Sequence, residues 1–351
     1  MPVASIVAMR QMFRIIIKRS TAERRWPAFS LWKLIVSIHA KVVSRVGAEV
    51  SYKLWFPAEM PSGLEKSTSQ ALGANWGLAF QGPLTDIAGV NYFLDLVSVL
   101  RAQHPDIPIV YTTSEFKQAP LFVSQLAGMG VEVVEIPDPG EITGHSTSKN
   151  LLRQISSCWH GLSYLKTVGV ETAVRARTDQ KWDLNRLIVG FSAISRLVDG
   201  QSEGNSRIFG SSLNTFKRRP FGVSDMLLVG DIGQLISFFK PCDVESYLEH
   251  RSAVLERFTF LSPFEVDAPE IFLGARFMAS LALESHEDPV ALFWERYFGI
   301  LPATFISHSW QRQQPWQHGS SHLWDRPQSL RSLIGGEMTF EEWLIVVGLG
   351  A

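Results

Sequence analysis

Cysteine is nearly missing from this chain, with Cys158 and Cys242 the only two. Two thiols cannot build a disulfide scaffold, and neither stands at metal-ligand spacing from other ligands, so a reducing, cytoplasmic compartment is expected. Charge is also scarce, at 19% of residues against 46% apolar. That balance excludes a disordered or fibrous protein and gives 351 residues enough apolar material for a large core. No apolar run reaches the roughly 18 residues needed to span a bilayer. A net charge of −1 supplies no global attraction to nucleic acid, so no nucleic-acid partner is expected. Also absent are the G-x-x-x-x-G-K-S/T phosphate loop, a G-x-G-x-x-G after the first strand, a G-x-S-x-G elbow and H-E-x-x-H. Kinase, dinucleotide oxidoreductase, serine hydrolase and zincin chemistries fall away with them.

What charge there is lies unevenly. Residues 1–50 hold nine basic side chains, Arg10, Arg14, Lys18, Arg19, Arg24, Arg25, Lys33, Lys41 and Arg45, against Glu23 and Glu49. This segment is therefore +7 and the remainder −8. Apolar residues interleave with the charges, and the basic side chains interrupt any signal-peptide core. Residues 1–56 read as a basic amphipathic helical extension, with helices near 3–19 and 28–46. Such helices either lie on an anionic membrane surface or pack on the protein itself.

After a polar linker, 57–73, the pattern changes to alternating strands and helices. Trp76–Gln81 reads as a strand ended by Gly82-Pro83, Asn91–Arg101 as a helix, and Ile107–Thr113 as a second strand. A helix at Pro120–Met129 and a strand at Val131–Ile136 complete a βαβαβ unit, which predicts a parallel sheet with right-handed crossovers. A long helix follows at about Ser148–Val168, with Leu152, Ile155, Trp159, Leu162 and Leu165 on its apolar stripe. Another face carries Asn150, Arg153, Gln154, Ser157 and Gly161, which reads as a diphosphate-facing surface or as a solvated face with a packing glycine. The main domain is taken as 74–310 and the C-terminal tail as 311–351.

The run from Thr172 to Asp183 carries the most chemistry. Ala173 and Val174 belong to a strand that breaks into Arg175, Arg177, Thr178 and Asp179, so a carboxylate flanked by arginines stands at a strand tip. In open α/β sheets, ligands sit outside the carboxyl ends of the strands. There the arginines can face a diphosphate, and Asp179 can hold a ribose hydroxyl or a metal such as Mg²⁺ or Mn²⁺. A second carboxylate in D-x-D spacing is missing, and Asp183 reads as the cap of a helix starting near Leu184. For a general base, Asp225, opening an apolar strand at Met226–Val229, and Glu270, opening a helix at Ile271–Leu283, are the catalytic candidates. Glu270 also reads as ordinary first-turn charge. His308 is a candidate metal ligand or a structural histidine. Trp310, Trp316 and Trp324 read as sugar-stacking or core residues.

In its motifs the chain resembles the WavE lipopolysaccharide synthesis family. The likeness rests on Phe80-Gln81-Gly82-Pro83, Thr112-Thr113-Ser114-Glu115, Asp138-Pro139-Gly140 and Asn150 with Arg153, Gln154, Ser157 and Gly161. It continues through Arg175-Ala176-Arg177-Thr178-Asp179-Gln180, Phe221-Gly222 with Asp225, and Pro269-Glu270, over about 60% of the chain. Arg175 departs from it, standing where lysine is expected. The resemblance implies an α/β, GT-A-like, Rossmann-type nucleotide-diphosphosugar transferase fold. It implies a glycosyltransferase moving a sugar to a lipopolysaccharide or other glycan or glycolipid acceptor, and the basic N-terminal helices would place such an enzyme peripherally on the inner face of the cytoplasmic membrane. Gln81, Gly82, Ser114, Asn150, Arg153, Gln154, Arg175, Arg177, Thr178 and Asp179 are then the expected nucleotide-sugar contacts. A sugar-phosphate or nucleotidyl transferase and a non-catalytic nucleotide-sugar or glycan binding module remain the alternatives.

Overall fold

The structure, a computed structural model, describes residues 75–347 apart from 83, 85–86, 114–119, 143–148, 200–206, 214, 217–218, 282, 284–286, 304, 311–337 and 339. The basic extension, the linker and most of the tail lie outside the described residues, as do Ser114, Glu115, Trp316 and Trp324.

Strand β1 spans Trp76–Gln81, and helix α1 covers Ile87–Gln103. They are followed by β2 (Ile109–Thr113), α2 (Pro120–Gly128) and β3 (Val131–Glu135). The long helix α3 runs Leu151–Thr167, ahead of β4 (Thr172–Arg177) and the two-residue β5 (Gln180–Lys181). Next come α4 (Leu184–Asp199), β6 (Ile208–Ser211), β7 (Leu227–Asp231) and α5 (Ile232–Phe238). Helices α6 (Val244–Arg257), α7 (Pro263–Val266), α8 (Pro269–Ala279) and α9 (Pro289–Leu292) lead to β8 (Phe298–Leu301). The described chain closes with β9 (Ser309–Trp310) and α10 (Phe340–Val346). Asp183 caps α4, its Oδ1 accepting from the Arg186 N–H at 3.0 Å.

Seven strands form one sheet in the order β3-β2-β1-β4-β7-β6-β8. β1, β2, β3 and β4 pair in parallel, as the βαβαβ reading anticipates, and β6 and β8 are parallel as well. Only β7 runs against its two neighbours. This is a Rossmann-like, mostly parallel α/β fold. Its strands β1, β2, β4 and β6 are wholly or almost wholly buried, as expected for a sheet covered on both faces. Consecutive strands β1, β2 and β3 extend to one side of β1, whereas β4 pairs on the other side. That reversal is a topological switch point, and in open α/β sheets the ligand crevice lies at such a point, here the carboxyl ends of β1 and β4.

Two glycines let helices approach this framework closely. A Cβ at Gly161 of α3 would lie 2.8 Å from Thr112 Oγ1 on β2. The glycine thus serves packing of α3 on the sheet and does not face a diphosphate. A Cβ at Gly274 of α8 would fall inside contact distance of the Phe221 carbonyl oxygen. Phe221 itself is fully buried in the left-handed region at φ 60° and packs on Phe258, Phe260 and Phe293. The tail returns to the core through α10, whose Trp343 is buried and donates its indole N–H to the carbonyls of Trp294 and Phe298. Among the described residues, no helix is long and apolar enough to cross a membrane.

The α8 contact is testable by mutation. Gly274→Ala should lower stability by about 1–3 kcal/mol in urea unfolding, because backbone rather than a flexible side chain must give way. Gly128→Ala, with nothing within 4 Å of the added carbon, should lose none.

Candidate functional site

The register of the central strands decides which residues meet at the crevice. Gln81 pairs with Arg177 on one side and with Thr112 on the other. The chain continues past both strand ends, and the Thr178 N–H donates to the Gln81 carbonyl at 3.1 Å. Gly82 turns there at φ 125°, where a Cβ would stand 3.1 Å from Thr178 Oγ1, and its carbonyl accepts from the Tyr111 hydroxyl at 3.1 Å. Glycine is therefore required twice, for its backbone angle and for close approach to Thr178. Antiparallel β7 brings its leading end to the same edge, which carries Asp225 there. Glu270, in the first turn of α8, joins it.

Arg177 and Asp179 form a two-point ion pair, Nε to Oδ1 at 2.9 Å and Nη2 to Oδ2 at 2.8 Å. Burial alone would lower the Arg177 pKa, but the Asp179 hydrogen bonds and charge, with Asp225 and Glu270 behind them, outweigh it and raise it. Asp225 accepts from the Gln154 amide of α3 at 2.5 Å. Glu270 lies 3.7 Å from Arg219, whose guanidinium also covers the Phe216 ring. Burial first, and then the charge of Asp225, push the Glu270 carboxyl above the usual carboxylate range, against the pull of Arg219 and Arg177. Two carboxylates and two arginines thus share one partly covered edge of the sheet, which is an arrangement for a titrating base beside fixed cations.

Of the expected contacts, the fold brings together Gln81, Gly82, Arg177, Thr178 and Asp179, and joins Gln154 to Asp225. Arg153 and Asn150 bond elsewhere. Arg153 holds Asp138 through two bonds of 2.9 and 2.6 Å, Glu141 at 2.7 Å and the Asn150 side chain at 3.1 Å. Arg153 in turn holds both acids below their usual range, by hydrogen bonding. Arg175 departs furthest from its expected role. It is 0% exposed, between the sheet and the helices covering it, with Nε 3.0 Å from Cys158 Sγ and its guanidinium over the Phe239 ring. Two residues short of the strand tip, it is buried against α3 and the residue that ends α5 rather than placed at the strand tip with Arg177.

Two contributors, Arg219 and Ser211, escaped the sequence reading, and Gln180 was named there only within a motif run. Arg219 sits in a loop with no periodic signal, and Ser211 and Gln180 acquire their partners only through folding. His308 is buried, with Nδ1 2.9 Å from Ser211 Oγ and Nε2 2.9 Å from Gln180 Oε1. It is a structural histidine in this arrangement. Among the described residues, no group of three or more His, Cys, Asp or Glu side chains is arranged to hold a metal ion. Both Asp179 oxygens already accept from Arg177, so the side chains as they stand do not form a ready metal centre.

No protein-family model and no curated protein matches this chain. Among solved structures, a cytidylyltransferase from Leptospira borgpetersenii serovar Hardjo-bovis is similar at 17% identity and TM-score 0.27, over 53% of this chain and 72% of that one. A protein described as mannose-1-phosphate geranyltransferase from Thermus thermophilus is similar at 12% identity and TM-score 0.28, over 55% and 67%. Likenesses this distant say nothing of the substrate, and the functional reading rests on the site residues.

Burial pushes the His308 pKa down to about 3, with the Asp179 charge opposing. An unfolded histidine titrates near about 6.5, so the unfolded chain takes up this proton first as pH falls. Stability is therefore lost from about pH 6.5 downward towards pH 3. Urea unfolding at pH 7 and pH 5 should show a smaller loss for His308→Gln than for the wild type.

Proposed function

We propose that this chain transfers a sugar from a nucleotide-diphosphosugar to a hydroxyl of a surface glycan or glycolipid. The carrying observation is the Asp225 and Glu270 carboxylates beside Arg177 and Arg219 at the switch-point crevice. A sugar hydroxyl is a weak nucleophile, and its attack at the anomeric carbon is helped by a base that accepts its proton. A carboxylate whose pKa is raised, as for Glu270, is a stronger base than an ordinary one. Transfer of a nucleotidyl group to a sugar phosphate has less need of one, because that nucleophile is already ionised.

In this reading the nucleoside docks over Gln81 and Gly82. The acceptor oxygen bonds to the anomeric carbon while the bond from that carbon to the diphosphate oxygen breaks. The acceptor proton passes to the Asp225 and Glu270 carboxylates. Arg177 and Arg219 stabilise the negative charge left on the diphosphate. No step runs through a metal. A requirement for Mg²⁺ or Mn²⁺ would mean that Asp179 exchanges Arg177 for the cation. The motif resemblance to the WavE family supports a lipopolysaccharide-type acceptor, and the basic extension at 1–56 supports a site of action at the inner face of the cytoplasmic membrane.

Incubation with a panel of nucleotide-sugars and a lipopolysaccharide-core acceptor, followed by product analysis, tests the reading. Glycosylated acceptor with release of a nucleoside diphosphate is expected. Pyrophosphate release from a nucleoside triphosphate and a sugar phosphate would move the assignment to nucleotidyl transfer, and ligand binding without turnover to a binding module.

Glu270→Gln and Asp225→Asn should each lower kcat by about 10²–10⁴ while keeping the melting temperature near wild type. Because the ionised form is the base, kcat should rise with pH through an inflection above the ordinary carboxylate value of about 4.3. Glu270→Gln should remove or shift that inflection.

A further inference from the structure

The turn from Thr178 to Lys181 carries Asp179, yet β5 pairs only with the two-residue β9 among the described residues. So short a ladder fixes a chain segment weakly. Next to it stands a column of three buried polar side chains from three separate elements. His308 bonds to Gln180 at Nε2 and to Ser211 at Nδ1, both at 2.9 Å, across 128 and 97 residues of sequence. Gln180 and Ser211 are 0% exposed and His308 is 7% exposed. Since Gln180 Oε1 can only accept, the bonding assigns the imidazole proton to Nε2, and Nδ1 accepts from the Ser211 hydroxyl.

The backbone that delivers this ring is held in a costly shape. Ser307, just before it, sits at φ 52°, a left-handed conformation that non-glycine residues seldom adopt. The His308 N–H is tied to the Ala303 carbonyl at 2.9 Å. Such strain persists where the surroundings over-determine it, and it gathers at functional sites. Gln180 Nε2, moreover, is buried without a hydrogen-bond partner among the described residues. The column therefore leaves one buried donor unpaired among the described residues, which costs stability.

We infer that His308 is a positioning residue: acting through Gln180, it fixes the Arg177-Thr178-Asp179 turn against Gln81 and Gly82 and thereby sets the geometry of the nucleotide-sugar site. Its consequence for ligands rests on the function proposed above, whereas its mechanical part does not. The aromatic ring of phenylalanine fills the same space with neither bond. Glutamine retains a donor near the Nε2 position and can restore the bond to Gln180.

Hydrogen–deuterium exchange of the full chain separates the two parts. In His308→Phe the amides of 178–181 should exchange about tenfold faster, with those of β1, β2 and β4 unchanged, and the Kd for a nucleoside diphosphate should rise by a similar factor. His308→Gln should stay near wild type on both counts. Ser211→Ala, which keeps the ring in place, should give a smaller change at 178–181 and serves where His308→Phe does not fold. Unchanged exchange at 178–181 in the phenylalanine variant, or in Ser211→Ala where it is the variant read, overturns the proposal. So does faster exchange spread evenly over all strands. A wild-type protein that no nucleotide protects would overturn the proposed function, while the exchange at 178–181 still decides the positioning claim.

Discussion

The pairing of β4 with β1 in parallel, on the side away from β2, is the constraint on which the site depends. It sets Gln81 opposite Arg177 at the point where the strand order reverses, the place where open α/β sheets hold ligands. The turn after β4 then has one course open to it, across Gly82, with its Thr178 amide bonded to the Gln81 carbonyl. A side chain at position 82 would need both an unfavourable backbone angle and room that Thr178 occupies. Asp179 reaches Arg177 because this turn is tight.

Charge at the edge is balanced locally rather than by solvent. Arg177 pairs with Asp179, Arg219 stands beside Glu270, and Asp225 is held by the neutral amide of Gln154. The lead-in to antiparallel β7 carries one carboxylate, on the side of β4 opposite β1, and the start of α8 carries the other. Under the proposed function, β1 and β4 supply the nucleotide half of the site, and the 219–225 loop and α8 supply the acceptor half. Close packing of Gly274 on Phe221 couples the two elements that carry Asp225 and Glu270.

Much of this frame was legible in the sequence. Trp76–Gln81 is an apolar run stopped by Gly-Pro, and Val131–Glu135 is stopped by a proline-rich turn, so their ends announce themselves. Asp183 as a cap and Asp225 at the head of a strand follow from equally local signals. Arg175 was not legible, because in a strand covered on both faces nearly every side chain is buried and alternation no longer marks the ligand side. The bonds of His308 to Gln180 and Ser211 span about a third of the chain, and such pairings arise only when the sheet closes. Arg153 illustrates the opposite failure. Its place three residues after Asn150, on the face read as meeting a diphosphate, suggested a phosphate contact, but Asp138 and Glu141 from the loop after β3 take its guanidinium.

The central claim is that the β1 and β4 carboxyl ends form a nucleotide site, and a crystal structure of the protein with a bound nucleoside diphosphate or nucleotide-sugar tests it most directly. The account predicts the nucleoside over Gln81 and Gly82 and the diphosphate facing Arg177, with Asp225 and Glu270 on the sugar side. Density for the nucleotide at any other face, with the Arg177 and Asp179 turn untouched, would contradict it.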